Sequence, residues 1–262
     1  MEGRGETMTK NRFRYRMIFI LVLLTLWQAT AYAEVFSPAL FPKIETILKR
    51  FVDLLLYEGL VMKTLYSIVI VLLAMMISLA LSALLTYLGR RSAFIRESTH
   101  MTHAIASPLP GIAILPLVLI WLGVSQSAML LIMVHATLWP LWAQVSQSVD
   151  RLDLRYSRFI SAFRIPPARQ FWHIYVLGIR PELMTGLRIS WSRGWRALIS
   201  VEMIFGMVGS QTGLGWLIFE RRMYMDTPGL YAGLLAIALC GIFFETYVFR
   251  AEPLEVRHEA IN

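Results

Sequence analysis

From Leu60 to Leu88 the chain is apolar almost without interruption, broken only by Lys63 and small polar residues, until Gly89-Arg90-Arg91 closes the run. That is longer than the ~20 residues a helix needs to cross the hydrocarbon core of a bilayer. The run therefore reads as a membrane-spanning helix, tilted or extended beyond the lipid, with its arginine end on the cytoplasmic side. Composition agrees. The chain is 57% hydrophobic and 16% charged, whereas about a quarter of a soluble domain's residues carry charge. Its net charge of +8 sits beside apolar runs rather than on a separate basic domain, so positive-inside topology explains it better than nucleic acid does. Cys240 is the single cysteine and lies in an apolar run; no intrachain disulfide or cysteine metal cluster can form. No GxxxxGK[ST] occurs, so any ATP must be handled by another chain.

Five further spans follow from the same logic. The start carries Arg4, Lys10, Arg12, Arg14 and Arg16 and runs into MIFILVLLTLWQATAYA. Residues 17–33 form a first span after a basic cytoplasmic tail, 1–16. A basic start, a short apolar core and Ala31-Tyr32-Ala33 also fit a cleavable signal peptide; the first-span reading is preferred, because cleavage leaves an odd number of spans and removes the charge that fixes orientation. In the external segment 34–59, Ile44, Ile47, Leu48, Phe51, Leu54 and Leu55 keep helical spacing on the membrane surface. A third span, 104–122, contains Pro108, Pro110, Gly111 and Pro116 and should be kinked. His100 and His103 precede it at i, i+3, with too few further ligands to make a metal site. The fourth span covers 128–149 and the fifth 183–207. A glycine-rich outer connection from Gly206 to Asp226, with Gly209, Gly213, Gly215 and a short helix at 216–221, leads to a last span at 229–249, followed by Arg250, Arg257 and a tail, 251–262. Six spans put both termini in the cytoplasm, with most of the 25 Lys and Arg residues inside.

Two groups of polar residues stand out. The fifth span holds Arg188, Arg193, Arg196 and Glu202. Charges at membrane depth seldom face lipid, so Arg193, Arg196 and Glu202 mark either a water-filled path or buried pairs, while Arg188 can snorkel to the inner interface. With Pro108, Pro110 and Pro116 they are the candidates for a translocation path. The second group is the interval 150–182, which carries Arg151, Arg155, Arg158, Arg164, Arg169 and Arg180. Within it Tyr156, Phe159, Ile160 and Phe163 fall on one helical face, and Pro166-Pro167 stops the helix. Such an element suits docking to a cytoplasmic partner. Lying on lipid headgroups with the arginines as anchors is the other reading.

From Ser37 on, the chain resembles the permease subunits of binding-protein-dependent ABC importers, in the branch for sulfonates, taurine, nitrate and pyrimidine precursors. Four stretches carry the resemblance in order: SPALFPKIETIL, SPLPGIAILPLVLIWLGVSQSAMLLI, TGLRISWSRGWRALISVEMIFG, and GSQTGLGWLIF followed by YAGLLAIALCGIFFE. The resemblance implies an all-α integral membrane protein of the type I importer permease (MetI-like) architecture, in a bacterial inner membrane. It also implies a cytoplasmic ATPase dimer that binds ATP and Mg, a second permease, identical or paralogous, and an external solute-binding protein. The permease does no bond chemistry, and the solute is small, anionic on the strength of the two arginines.

Under this resemblance the interval corresponds to the family's cytoplasmic coupling loop, the EAA motif, with Tyr156, Arg158, Phe159, Ile160, Phe163 and Arg164 expected in the docking surface. Counting back from Pro181, Arg158 stands where the family usually has glutamate, Phe159 and Ile160 replace alanines, Arg164 replaces glycine, and Val176-Leu177 replaces leucine-proline. If that glycine serves a turn of positive φ, arginine there costs on the order of 1 kcal/mol. Such departures imply either pairing with a paralogue whose loop is regular or an ATPase groove adapted to this one, with an acidic residue facing Arg158. An ion-gradient transporter would show an inverted repeat of interrupted spans, which is not evident. An intramembrane enzyme lacks its motifs here, and a receptor or scaffold needs no coupling-type loop.

Overall fold

The structure, a computed structural model, describes residues 2–208 and 211–249, with side chains from Arg14 onward. Gly209, Arg250, Arg257 and the 251–262 tail lie outside the described residues, as do the side chains of Arg4, Lys10 and Arg12. Among the described residues the chain is helical, without a β-strand.

Its elements form two compact units. The first joins Met1–Leu60 to Ile218–Leu235 and contains α1 (Glu2–Tyr32) and α2 (Ile44–Tyr57). The apolar part of α1, Arg14–Tyr32, is long enough to cross a membrane. Its end is tied to the connection that follows. Trp27 stacks on Phe41 with centroids 4.1 Å apart and donates Nε1–H to the Pro42 carbonyl at 3.1 Å. Gln28 Oε1 accepts the Ile44 N–H at 3.0 Å, and Lys43 lies over the Tyr32 ring at 4.2 Å. These contacts stand in for a polar N-cap, since Lys43 contributes no side-chain bond to the start of α2.

The second unit joins Val61–Leu217 to Ala236–Asn262. Here α3 (Leu60–Arg91) begins where the long apolar run begins and outlasts it by the two arginines. Ser92 then caps α4 (Ala93–Ala106). A 3₁₀ turn, Gly111–Ile114, leads into α5 (Leu115–Leu122), and the two arms of this pair meet at 93°. The kink expected in the third span is a right-angled break at Ser107–Pro110, where two prolines in three residues remove two N–H donors and Pro110 is extended, φ −61° and ψ 136°. Pro116 lies in the first turn of α5, where its missing N–H is harmless.

α6 (Gln126–Phe163) is capped by the Ser125 hydroxyl and runs 38 residues unbroken through Pro140. The expected fourth span and the amphipathic helix after it are one element, since charged residues do not stop a helix. A single turn, α7 (Pro167–Arg169), and a π-helical stretch, Gln170–Val176, lead to α8 (Arg180–Phe205). α6 and α8 make the principal packing of this unit. Gly194 has no room for a side chain, as a Cβ there would lie 2.8 Å from Thr137 Cγ2, and small residues let membrane helices approach closely. Beside it the Ser190 hydroxyl donates to the Thr137 carbonyl at 2.9 Å, in the turn that Pro140 disturbs.

α9 (Leu214–Met223) and α10 (Thr227–Phe243) are the last helices among the described residues, the latter running into a π-helical end, Phe244–Val248. By length and composition four helical stretches can cross a membrane, and the bent pair makes a fifth. α8 has the length but carries Arg188, Arg193, Arg196 and Glu202, which is why apolarity alone passes over it. This is consistent with six crossings.

Candidate functional site

The first candidate is the end of α6. A helix of 38 residues is roughly 57 Å long, whereas a bilayer with its headgroups is about 45 Å thick. The helix is thus longer than the membrane it would cross. Phe159 and Phe163, one turn apart, lie with ring centroids 4.5 Å apart and are 49% and 68% exposed. Tyr156 and Ile160 are half-buried beside them, and Arg158 is exposed without an ion pair among the described residues. Arg164 ends the helix in the left-handed conformation, φ 47° and ψ 46°, while the Ile165 N–H returns to the Ile160 carbonyl at 3.2 Å. This is the cap that glycine usually makes. Beyond it Gln170 Nε2 donates to the Ile165 carbonyl at 2.7 Å, and Phe171 and Trp172 expose a second aromatic pair, 5.3 Å between centroids.

A cluster not singled out from sequence fixes this projection. Arg90, at the end of α3, donates to Asp153 Oδ1 at 3.0 Å and to the Tyr175 hydroxyl at 2.8 Å, with its guanidinium 4.5 Å from the Tyr175 ring centre. The Tyr175 hydroxyl in turn donates to Asp153 Oδ1. Burial, then the bond to Asp153, raise the Tyr175 pKa above its ordinary 10.0. Arg151 reaches Glu182 at 3.2 Å on α8. The only sequence signal was Arg90 itself, which reads as the end of an apolar run.

The second candidate is a cavity of about 450 Å³ lined by Pro108, Pro110, Arg193 and Arg196 together with His135 and Trp139 of α6. The break at Ser107–Pro110 forms one wall and α8 another. Arg196 Nε donates to the Ser192 carbonyl at 2.9 Å. Arg193 has no hydrogen-bond or ion-pair partner among the described residues. Trp139 Nε1 and His135 Nδ1 are buried ring nitrogens without a partner among the described residues. His135 and Trp139 sit mid-span, where a sequence offers no reason to separate them from packing residues. His100 and His103 pack their rings against Trp142, each with centroids 5.1 Å away.

The other two path candidates lie elsewhere: Pro116 is outside the cavity lining, and Glu202, only 1% exposed, accepts from the Ser67 hydroxyl at 2.8 Å and from the Gly215 N–H at 2.8 Å. Its partners are a hydroxyl and a backbone amide rather than an arginine. Arg188 pairs with Glu245 at 3.7 Å.

Residues 90–253 match the family described as "Binding-protein-dependent transport system inner membrane component". The chain is 25% identical to the taurine transport system permease protein TauC of Escherichia coli (strain K12) over 86% of its own length and 82% of that protein's. It is 25% identical to the formylaminopyrimidine transport permease protein ThiX of Halalkalibacterium halodurans, covering 86% and 88% respectively. To the putative aliphatic sulfonates transport permease protein SsuC of Bacillus subtilis (strain 168) it is 21% identical, covering 87% and 81%.

Proposed function

We propose that this chain, which belongs to the family of binding-protein-dependent transport system inner membrane components, couples ATP hydrolysis on a partner subunit to solute import through the end of α6. As a member it is a multi-pass, non-catalytic permease subunit of the bacterial inner membrane. The ion-gradient carrier is not favoured by that membership.

The observation that carries the coupling reading is the exposed Phe159–Phe163 face on a helix that outruns the bilayer. An apolar helical face in water lowers its free energy by entering a groove. Tyr156, Phe159, Ile160 and Phe163 supply apolar contact, and Arg158 and Arg164 supply charge, so the cognate ATPase groove carries an acidic residue facing Arg158. Arg90, Asp153 and Tyr175 tie the projection to the core, which lets a push at the tip reach the spans. ATP and Mg are bound by two such ATPases, whose closure moves both docked loops and switches the spans from inward-open to outward-open. The nucleotide drives this only by binding one arrangement more tightly than the other.

Six spans with both termini inside, residues 17–33 retained as the first and Pro108, Pro110, Arg193 and Arg196 beside the path complete the reading. The Trp27–Phe41 and Gln28–Ile44 contacts support retention. Of the relatives' printed substrates, taurine, aliphatic sulfonates and a formylaminopyrimidine, the aliphatic sulfonates, anions without an ammonium group, suit Arg193 and Arg196 best, and an external binding protein delivers the solute.

Mild-detergent purification from the native host, with every co-purifying chain identified and counted, tests the proposal. An ATPase with a second, regular-looped permease supports an unequal pair, and an ATPase with this permease alone supports a homodimer. Loss of the ATPase in Phe159→Ala/Phe163→Ala places docking on α6. Absence of any ATPase beside the intact chain removes the coupling role.

A further inference from the structure

We propose that the cavity between the Ser107–Pro110 break, α6 and α8 is an oxoanion-recognition site within the permease itself. It takes a small organic anion of sulfonate or carboxylate type with a short apolar body, and it rejects solutes that also carry an ammonium group. The inference rests on the reading that the transport path passes this cavity.

The lining decides the sign of the ligand. Two guanidinium groups, Arg193 and Arg196, line the space, and none of the described lining residues is Asp or Glu. Arg193 is unpaired among the described residues, and Arg196 spends its bonds on the Ser192 carbonyl and hydroxyl, at 2.9 and 3.4 Å, leaving further N–H groups of its fork. Glu202, on the same helix, is held by Ser67 and Gly215 and so is committed elsewhere. A planar donor fork matches an oxoanion. Trp139 Nε1 can only donate and, like His135 Nδ1, has no partner among the described residues. An oxygen-rich ligand gives the free guanidinium N–H groups the acceptors that the described residues do not.

The remaining walls set its body. Leu109, Pro110, Ile112, Ala136 and Ala197 are apolar, so the part of the ligand away from the anionic group is small and non-polar. A volume of about 450 Å³ lies within the usual range of roughly 300–1,000 Å³ for small-molecule pockets. An ammonium here finds two like charges and no carboxylate among the described lining residues, and such like-charge juxtaposition weakens binding. Selection at the external binding protein is thereby backed by a second selection inside the membrane.

The test compares ethanesulfonate with taurine, which share the sulfonate and differ by an ammonium. Saturable binding of each radiolabelled probe is measured on the full chain, co-purified with its ATPase in nanodiscs and without the binding protein. The expected result is saturable ethanesulfonate binding at least about tenfold tighter than taurine binding, weakened about tenfold or more in Arg193→Gln and partly restored in Arg193→Lys. Equal binding of the two probes, or no saturable binding of ethanesulfonate, overturns the proposal without any variant. Binding that survives both Arg193→Gln and Arg196→Gln overturns it as well. The two readings fail separately. An associated ATPase without anion binding removes the site alone, and anion binding without an ATPase removes the coupling alone.

Discussion

The Gly215 N–H at the start of α9 donates to Glu202 Oε2 on α8 at 2.8 Å. Ser67 on α3 completes the arrangement, its hydroxyl donating to both Glu202 oxygens at 2.8 and 3.0 Å while accepting the Leu214 N–H at 3.0 Å. Only glycine fits the approach. A Cβ at Gly215 would lie 2.3 Å from the Ile199 carbonyl oxygen, and one at Gly213 would lie 1.9 Å from Glu202 Oε1. Since backbone cannot yield as a flexible side chain does, Gly215→Ala should destabilise the protein by about 2–3 kcal/mol. Ser67→Ala should cost roughly 1–3 kcal/mol by leaving the carboxylate and the Leu214 N–H short of a partner. Thermal unfolding in detergent measures both. Melting unchanged in the two variants would mean that the Glu202 contacts do not hold the outer connection.

Why some of this was legible and some not follows from range. The ends of α3 are written in consecutive residues, Leu60 through Arg91, and the α2 helix in the spacing of Ile44, Ile47, Leu48 and Phe51. The short helix expected at 216–221 lies within α9, Leu214–Met223. By contrast Glu202 meets Ser67 across 135 positions of sequence, and nothing local in either residue announces the other. The apolar pattern of the fourth span stops before Asp150, yet only the left-handed Arg164 and the two prolines after it end α6. Prolines 108 and 110 announced a break, but its 93° angle depends on packing. Trp139 and His135 read as span residues until the fold set them beside Arg193.

Arg164 holds φ 47° where glycine has no steric penalty. Arg164→Gly should therefore raise stability by about 1 kcal/mol. If its charge also serves docking, the same variant weakens ATPase association. Melting and co-purification measured on one preparation separate the two effects. A lower melting point would show that the arginine side chain makes contacts worth more than the strain.

Tyr175 gives the projection an alkaline limit. Burial and the bond to Asp153 raise its pKa above 10.0, so the native state binds the phenolic proton more tightly than the unfolded state does. Its contribution is then full below pH 10.0 and lost as pH rises through the higher folded value. Limited proteolysis of the 150–182 interval should accelerate above about pH 10. Tyr175→Phe should flatten that step while making the interval more susceptible at neutral pH, because Arg90 and Asp153 lose a shared partner. An equal alkaline step in Tyr175→Phe would assign it to another group.

Asp226 should set a matching acid limit in the first unit. Its Oδ2 accepts from Arg50 Nη2 at 2.8 Å and Nε at 3.0 Å and lies 3.5 Å from Arg221, while Oδ1 accepts the Gly229 N–H at 2.9 Å in the first turn of α10. Arg221 also reaches Glu58 at 2.7 Å, so the charges form a network and not a lone pair. Burial pushes the Asp226 carboxyl up, but the Arg50 bonds, the Gly229 N–H and the charges of Arg50 and Arg221 together outweigh it and hold the pKa below the ordinary 3.8. The native state thus prefers the ionised form; its contribution is full above pH 3.8 and disappears as pH falls through the lower folded value. Asp226→Asn keeps an oxygen for Gly229 but loses the charge, and should cost about 1–2 kcal/mol at neutral pH. Asp226→Ala also removes the cap of α10 and should cost about 1 kcal/mol more. Melting at pH 7 and pH 3 tests the set, since the gap between wild type and Asp226→Asn should narrow in acid. A gap of the same size at both values would mean that the carboxylate's charge contributes nothing to holding Arg50 and Arg221 together.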